Sequence, residues 1–553
     1  MEFSKLAELC EKLEKTRKRN VMIETVARFI SGLEKSEVRP VCDMLLGKSA
    51  SASELGKGLG WESIKKVVLK VTGLKESEFW KFFKETGDLG ETTKIAFEKR
   101  KIAPVSLHPR QLTVEEVWAI LHKISEISGK GANERKEKLL EGLLNRCGPT
   151  EAKLLVKILT GEMRTGFKGE MLKNSLAKAF GISEEEIERA VGVMADISEV
   201  AARIAEKGKD AISSLQISTF QPVEPMLAQI AKDVQEALSL HGGQTSFEFK
   251  LDGARIQLHK KGSIVKVFSR SLKDVSVCLP EIVEKVQEIK AEEAILDGEV
   301  IAVDQHGNPL PFQYLLRRFR REMEVPKIVK GIFLKLQLFD VLYVDGQVTT
   351  NLPYLQRREK LLNLIPPDCI VPAMITSSKK EAEEFLNEAI KQGHEGLVAK
   401  ALHGKYLLGS RSELWLKIKP VLEPLDLVIV GAEWGHGRRA RYLSDYYLGA
   451  LDEKTGKFEI VGKTFKGLSD KELEQMTKRL IDLKISEEGR TVWVKPEIVV
   501  EVFYNEIQKS PKYPCGMALR FARINRIREE KTAEQADTLQ KLRKIFESQR
   551  KIY

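Results

Sequence analysis

Lys250 lies in the run Phe247-Glu248-Phe249-Lys250-Leu251-Asp252-Gly253-Ala254-Arg255, where polar residues take alternate positions. Side chains along a strand point to opposite faces in turn, so Glu248, Lys250 and Asp252 share one face and Phe247, Phe249 and Leu251 the other. The expected product is an amine between two carboxylates over an apolar floor, with Gly253 letting the chain turn. An amine held in this way attacks phosphorus once deprotonated, and lysine is the cation whose pKa shifts readily on burial. A structural ion pair on an edge strand would use the same residues. Lys-x-Asp-Gly by itself is expected by chance in roughly one chain in eight of this length, so the motif needs company.

Five downstream segments share the alternation. Phe268-Ser269-Arg270 ends a predicted strand on an arginine, and Leu296-Asp297-Gly298-Glu299-Val300 puts Glu299 on another. Gln337-Leu338-Phe339-Asp340 presents Phe339 opposite Leu338. His394-Glu395-Gly396-Leu397-Val398-Ala399-Lys400 carries one carboxylate and one lysine. In Trp415-Leu416-Lys417-Ile418-Lys419 the indole and both ammonium groups share a face, and Leu416 and Ile418 take the other. Each has an ordinary explanation: Glu299 and Glu395 as surface carboxylates, Phe339 as core, Lys417 and Lys419 as a solvated strand face. Their order after Lys250 weighs against all of those explanations, because every one must hold at once.

The elements that position these residues are legible in outline. Residues 1 to about 213 read as successive helices, with apolar residues recurring at three and four, as in Leu154, Leu155, Ile158 and Leu159. Thr113 with Glu116 and Ser183 with Glu186 are capping boxes, and 104–111 is the predicted linker within this region. From Gly208–Ser214 to Pro420 short β-rich runs dominate, at 264–269, 294–303, 332–344 and 396–399, with a helix at 379–392. Val344-Asp345-Gly346-Gln347 is a predicted hairpin turn. Beyond Pro420–Pro424, strands at 427–431, 446–451, 492–494 and 498–504 with one capped helix at 469–480 suit a small barrel, with the OB-fold the leading candidate. Thr532 and Gln535 are predicted to cap a final helix running to about Gln549.

The 553-residue chain is too long for one core. Its net charge of +11, from 91 Lys and Arg against 80 Asp and Glu, favours a polyanionic partner. Six scattered cysteines without a C-x-x-C pair argue against a disulfide framework or zinc knuckle and for a reducing, intracellular setting. No secretory core or membrane-length apolar run is present in the sequence, so no membrane partner is expected.

Taken in order, the segments Lys250-x-Asp252-Gly253-x-Arg255, Ser269-Arg270, Asp297-Gly298-Glu299, Phe339-Asp340, Glu395-Gly396-Leu397-Val398-x-Lys400 and Trp415-Leu416-Lys417-x-Lys419 resemble the collinear motifs of covalent nucleotidyltransferases. Within that superfamily the chain is similar to ATP-dependent DNA ligases of the archaeal and eukaryotic replicative type. Four stretches narrow the resemblance: Gln221 to Ala228, Leu310-Pro311-Phe312-Gln313 with Arg317 and Arg318, Leu519-Arg520-Phe521-x-Arg523 with Arg526 and Arg528, and Glu162 to Phe167. Capping enzymes and RNA ligases share the Lys250 motif, but neither is expected to bring the helical region or the Gln221 to Ala228 lead-in. A basic nucleic-acid-binding protein with a decayed site fits less well, because every motif position is filled.

The resemblance implies a multidomain fold: an all-α DNA-binding domain (1–213), an α+β adenylation domain with antiparallel sheets (214–420) and a C-terminal OB-fold β-barrel with a final helix (421–553). It implies ATP and Mg²⁺ as cofactors and nicked double-stranded DNA as partner, acted on by a monomer in replication, repair and recombination. Lys250 would accept AMP; Glu248 would read the adenine amino group and Phe339 stack on the base. Arg255, Arg270 and Glu299 would hold ribose and α-phosphate, Lys417 and Lys419 would neutralise that phosphate, and Arg411 would assist near the nick. Glu299 and Glu395 are the expected metal ligands, and Arg520 and Arg523 would orient the leaving pyrophosphate. Two features depart from familiar patterns. Gly456 with Gly462-Lys463-Thr464 imitates a P-loop, but five residues separate the glycines where the motif has four, so a strand-turn of the C-terminal domain is expected there. The sliding-clamp peptide that some relatives carry has no counterpart at Val105-Ser106-Leu107-His108, which lacks an aromatic pair.

Overall fold

The computed structural model describes residues 1–48, 59–102, 111–312, 314–315, 333–419, 422–435, 439 and 441–550. Residues 104–110 of the expected linker lie outside the described residues, with the clamp-peptide position at 105–108, and so do Gln313, Arg317 and Arg318. By contacts the chain divides into two compact units, one holding residues 1–73 and 97–420, the other 74–96 and 421–552.

In the first unit the N-terminal part is helical, as its periodicity requires. The helix Pro149–Thr160 begins on a proline, whose missing N–H costs nothing there, and ends at Gly161 in the left-handed region (φ 70°). Its Lys153 and Lys157 are buried and both reach Glu14, at 2.6 and 2.5 Å, tying it to the helix Phe3–Glu14. Ser183 and Glu186 form the predicted capping box, and Thr113 caps its helix through the Glu116 N–H.

Ten strands follow: β1 (Leu227–Ile230), β2 (Thr245–Lys250), β3 (Ala254–Lys261), β4 (Ile264–Ser269), β5 (Glu293–Val303), β6 (Phe333–Val344), β7 (Gln347–Val348), β8 (Ala373–Thr376), β9 (Gly396–Lys400) and β10 (Arg411–Ile418). They make two five-stranded sheets, ordered β1-β10-β9-β2-β8 and β4-β3-β5-β6-β7. Pairing is antiparallel as expected, except that β1 runs parallel to β10. The predicted turn joins β6 to β7, with Asp345 (φ 42°) and Gly346 (φ 86°) both left-handed, as a twisted hairpin demands.

Phe247, Phe249 and Leu251 face a core shared with Leu397, Ala399, Leu416, Ile418 and the helix residues Ala382, Phe385 and Ala389. The polar face of β2 therefore points away from that floor. Between Lys250, last in β2, and Ala254, first in β3, only three residues carry the chain from one sheet to the other. The Lys250 motif thus straddles both sheets, which is why its residues can meet side chains from each.

In the second unit, β11 (Leu425–Trp434), β12 (Leu443–Asp452), β13 (Lys457–Thr464), β14 (Lys484–Glu488), β15 (Thr491–Val494), β16 (Val499–Phe503) and β19 (Arg523–Ile527) form a seven-stranded antiparallel sheet, and β17 (Glu506–Lys509) pairs with β18 (Met517–Arg520). A helix at Asp470–Asp482, boxed by Ser469 and Glu472, packs Leu473, Met476 and Leu480 into its core. The P-loop look-alike is a turn at Gly456 followed by strand β13, which holds Gly462-Lys463-Thr464. One expectation is corrected: Thr532 and Gln535 cap only a 3₁₀ turn, Ala533–Gln535, and the last helix starts at Leu539. Ala536 (ψ 158°) is extended, which stops the turn from propagating.

Among the described residues no helix is long and apolar enough to cross a membrane, and all six cysteines are free.

Candidate active site

Two glycines make room for the site. A Cβ on Gly253 would strike the Val300 carbonyl and lie 2.9 Å from Glu299 Cγ. Without one, its N–H reaches Glu299 Oε1 at 2.9 Å and ties the turn after Lys250 to β5. Gly396 (φ 141°) lets β9 pass against the Ile418 carbonyl of β10. Lys250 and Gly396 are register partners, and Glu395 N donates to Lys250 O at 2.8 Å.

That register decides which carboxylate meets the amine. Glu248 and Asp252 were expected to flank it, but Lys250 Nζ pairs with Glu395 Oε2 at 2.7 Å. Lys419 Nζ shares the same oxygen at 2.5 Å. The sequence alternation put Glu248 on the right face but could not show that the strand next door supplies a nearer partner for each group. Burial alone would raise the Glu395 carboxyl; Lys250 and Lys419 outweigh it and hold it down to about 2. Glu299 is the opposite case. Burial pushes it up to about 7, with Lys250 opposing the rise and Glu395 adding to it.

Around the amine the cations are dense. The pKa of Lys417 is lowered by burial and then by Arg411, Lys250, Lys419 and Arg270. Those residues come from β2, β10 and the ends of β4 and β10. Arg411 Nη1 donates to the Ala228 carbonyl (3.1 Å), and Arg270 is exposed. So many like charges held together are costly without an anion, and a bound polyphosphate would relieve them.

Behind this mouth lies a polar and aromatic floor. Arg255 forks onto Asp297 at 2.6 and 3.1 Å, donates to the Met226 carbonyl at 2.7 Å, and stacks near Phe339 (5.5 Å) and Trp415 (5.7 Å). Burial would discharge it; Asp297, helped by Tyr406 and Glu299, more than offsets this and raises its pKa. Tyr406 completes the set, its hydroxyl donating to Asp297 Oδ2 at 2.6 Å. Glu248 is buried and bound by three donors: Tyr354 hydroxyl (2.6 Å), Lys400 Nζ (2.8 Å) and Arg358 Nη1 (3.4 Å). Lys400 lies under Phe339 (4.8 Å) and Trp415 (4.3 Å) and donates to the Phe339 carbonyl at 2.9 Å. Burial lowers its pKa against the pull of Glu248 and Asp340. Asp340 is in turn forked by Arg357 at 2.7 and 3.1 Å.

The first unit therefore brings together Lys250, Arg255, Arg270, Glu299, Phe339, Glu395, Arg411, Lys417 and Lys419, with Glu248 one layer deeper. Arg520 and Arg523 belong to the second unit, where Arg520 pairs with Glu506 at 2.8 Å and Arg523 is exposed on β19. Sequence reasoning gave no role to Asp297, Tyr406, Arg357 or Lys400. Asp297 and Lys400 stood inside quoted motifs, and a fully buried lysine on a strand of otherwise apolar residues is itself a signal that an acid must lie opposite.

Among the described residues no group of three or more His, Cys, Asp or Glu is placed to hold a metal ion. Glu299 and Glu395, close enough for the Glu395 charge to raise the proton affinity of Glu299, fit a hard divalent cation that keeps most ligands as water and phosphate oxygens.

The chain matches the DNA ligase N terminus family over residues 2–177, the ATP dependent DNA ligase domain over 225–419 and the ATP dependent DNA ligase C terminal region over 439–531. A DNA ligase of Thermococcus fumicolans is 40% identical over 551 residues, which is 99% of this chain and 98% of that one. DNA ligase 1 of Korarchaeum cryptofilum is 41% identical over 552 residues, 99% of each. The solved structure Pmar-Lig_PreS3 aligns with 94% of this chain and 99% of its own at a TM-score of 0.56 and 17% identity, a likeness of fold.

Proposed function

The chain belongs to the ATP-dependent DNA ligase family, and on that footing we propose that it seals nicks in duplex DNA through a lysyl-AMP intermediate on Lys250. The observation that carries this reading is the crowding of Lys417 by Lys250, Lys419, Arg411 and Arg270 beside an aromatic floor, an arrangement that suits a nucleoside triphosphate.

The reaction has three phosphoryl steps. The neutral Lys250 amine attacks the α-phosphorus of ATP, a P–N bond forms, and the bond to pyrophosphate breaks. A 5′-phosphate oxygen at the nick then attacks the same phosphorus, the P–N bond breaks, and the amine regains a proton. Finally the 3′-hydroxyl attacks the 5′-phosphate, loses its proton, and AMP leaves. Steps of this kind call for positioning and charge neutralisation more than for covalent devices. Lys417 and Lys419 neutralise the α-phosphate. Arg255, fixed by Asp297, holds the ribose with Arg270 and Glu299, and Arg411 serves the nick phosphate. Phe339 stacks on the base. Glu248, with three donors on its carboxylate and about four acceptor positions in all, keeps one for the adenine amino group. A Mg²⁺ held at Glu299 and Glu395 would supply Lewis-acid stabilisation of phosphate charge.

Three modules serve these steps: 1–213 for DNA, 214–420 for adenylation, and 421–553, an OB-fold, to bring Arg520 and Arg523 to the leaving pyrophosphate. The protein acts on nicked duplex DNA as an intracellular monomer, a setting that suits six free thiols, five of them buried. We assign it to replication, repair and recombination.

Label transfer from α-labelled ATP tests the assignment. Lys250→Ala is expected to take up no label while still binding a nicked duplex. Label persisting on the variant refutes Lys250 as the acceptor.

A further inference from the structure

Arg255, Gln257 and His259 share one face of β3, and all three hold the same stretch of backbone. Arg255 Nη1 donates to the Met226 carbonyl (2.7 Å). Gln257 clasps Val223 twice, its Oε1 accepting the Val223 N–H (2.9 Å) and its Nε2 donating to the Val223 carbonyl (3.0 Å). His259 Nδ1 accepts the Phe220 N–H (2.9 Å). Rungs two residues apart on the strand thus meet partners three apart on residues 220–226. Because Nδ1 accepts, the ring proton sits on Nε2, which donates to Gln257 Oε1 at 2.9 Å.

Neither side chain is spare surface. His259 is fully buried and Gln257 is 3% exposed. Burial pulls the imidazole down to about 3, so the ring stays neutral and the acceptor at Nδ1 persists through the working pH range. The backbone they hold is strained: Phe220 has φ 68°, a conformation a bulky residue keeps only when its surroundings impose it.

The held segment joins two parts of the first unit. Upstream, Glu224 N donates to Gly192 O (2.9 Å) at the end of the helix Glu184–Met194, and Gly409 N donates to Glu224 O (3.0 Å). Downstream it becomes β1, whose Ala228 carbonyl accepts from Arg411, while Ala231 N donates to the Lys417 carbonyl at 3.1 Å. The segment is a strap between the helical region and three cations of the site: Arg255, Arg411 and Lys417.

We propose that Gln257 and His259 are positioning residues for nucleotide binding, acting through the strap at 218–226 to fix Arg255 and the register of β1 against β10. The inference rests on the Lys250 reading. A strap released at Phe220 moves the Met226 carbonyl from Arg255, and misplacing a positioning group by about 1 Å can cost on the order of a hundredfold.

The test is single-turnover lysyl-AMP formation against ATP concentration in the full chain. In His259→Asn the amide oxygen replaces Nδ1; in His259→Gln the amide moves outward and the Phe220 acceptor is lost. His259→Gln is expected to raise the ATP concentration for half-maximal rate by about fivefold or more with a smaller change in maximal rate, and His259→Asn to stay within about twofold of wild type. Val286→Ala, in the separate core around Leu258 and Leu296, is the stability control: it lowers Tm and leaves the ATP requirement unchanged. Should His259→Gln not fold, Gln257→Met, which frees Val223 and takes the acceptor from His259 Nε2–H, is expected to give the same rise. Equal behaviour of the Asn and Gln variants overturns the proposal, as does an ATP requirement that follows Tm in Val286→Ala. A wild type that takes up no Lys250-dependent label defeats the earlier reading instead, so the two failures are distinct.

Discussion

Two lysine–glutamate pairs cross between the same two neighbouring strands. β2 carries Glu248 and Lys250; β9 and the residue before it carry Lys400 and Glu395. Their antiparallel register yields Lys250–Glu395 at 2.7 Å and Lys400–Glu248 at 2.8 Å. Chemically the pairs are alike, but the first is 23% exposed on both sides and the second 1% and 3%. In the open pair Glu395 has a second cation in Lys419, so Lys250 can exchange its partner for an incoming phosphate at little cost. In the closed pair Tyr354, Arg358, Asp340 and two aromatic rings surround the charges and leave no route for exchange. Burial turns one pair into scaffold and leaves the other free to exchange partners.

Swapping each lysine for methionine should separate the two roles, and this is the largest effect expected. Lys250→Met abolishes lysyl-AMP formation and barely moves the urea midpoint. Lys400→Met takes the shared buried cation from Glu248 and Asp340, leaving them to Arg358 and Arg357, and should destabilise the first unit by about 3 kcal/mol, read from urea unfolding. Equal stability losses in the two variants would erase the distinction between them.

The second unit offers a milder contrast. There Arg520 pairs with Glu506 and lies over the Phe521 ring, and Arg523 is exposed. Alanine at either position should slow lysyl-AMP formation by about a hundredfold, the usual consequence of removing one donor to a developing anion. Sealing of a pre-adenylylated nick should fall far less, because no pyrophosphate leaves in that step. Comparable losses in both assays would argue against the leaving-group role.

Local pattern carried most of the fold. The alternation around Lys250, the turn at Asp345-Gly346, the box at Ser183 and the capped helix from Ser469 each depend on a few adjacent residues, and each forms as expected. Partner choice was not legible, because it is set by strand register between distant segments. Nothing near Glu248 in sequence announces Lys400, Tyr354 or Arg358, and nothing near Arg255 announces Tyr406. The last helix was misjudged for a local reason: Thr532 and Gln535 make a genuine box, but the chain extends at Ala536 before a helix can grow. Likewise Gly253 read as a turn residue, whereas the close approach to Glu299 and the Val300 carbonyl also demands it.

The smallest effect compares the two carboxylates of the mouth, and its sign differs between them. Glu395 is held at about 2 in the folded chain against an ordinary 4.5, so the stability it supplies is present above 4.5 and is lost as pH falls toward 2. Glu299 is raised from 4.5 to about 7, so its contribution is present below 4.5 and is lost as pH rises through 7. Each is worth at most a few kcal/mol, roughly 1–3, since one pKa unit corresponds to about 1.4 kcal/mol and the groups are coupled. Urea midpoints measured from pH 3 to 8 should show Glu395→Gln flattening the acid limb and Glu299→Gln flattening the decline between 4.5 and 7. If Glu299→Gln instead runs parallel to wild type through that window, the carboxyl is already ionised there. The mouth would then carry two full negative charges beside Lys250 rather than one, and its balance of charge would favour the ammonium over the nucleophilic amine.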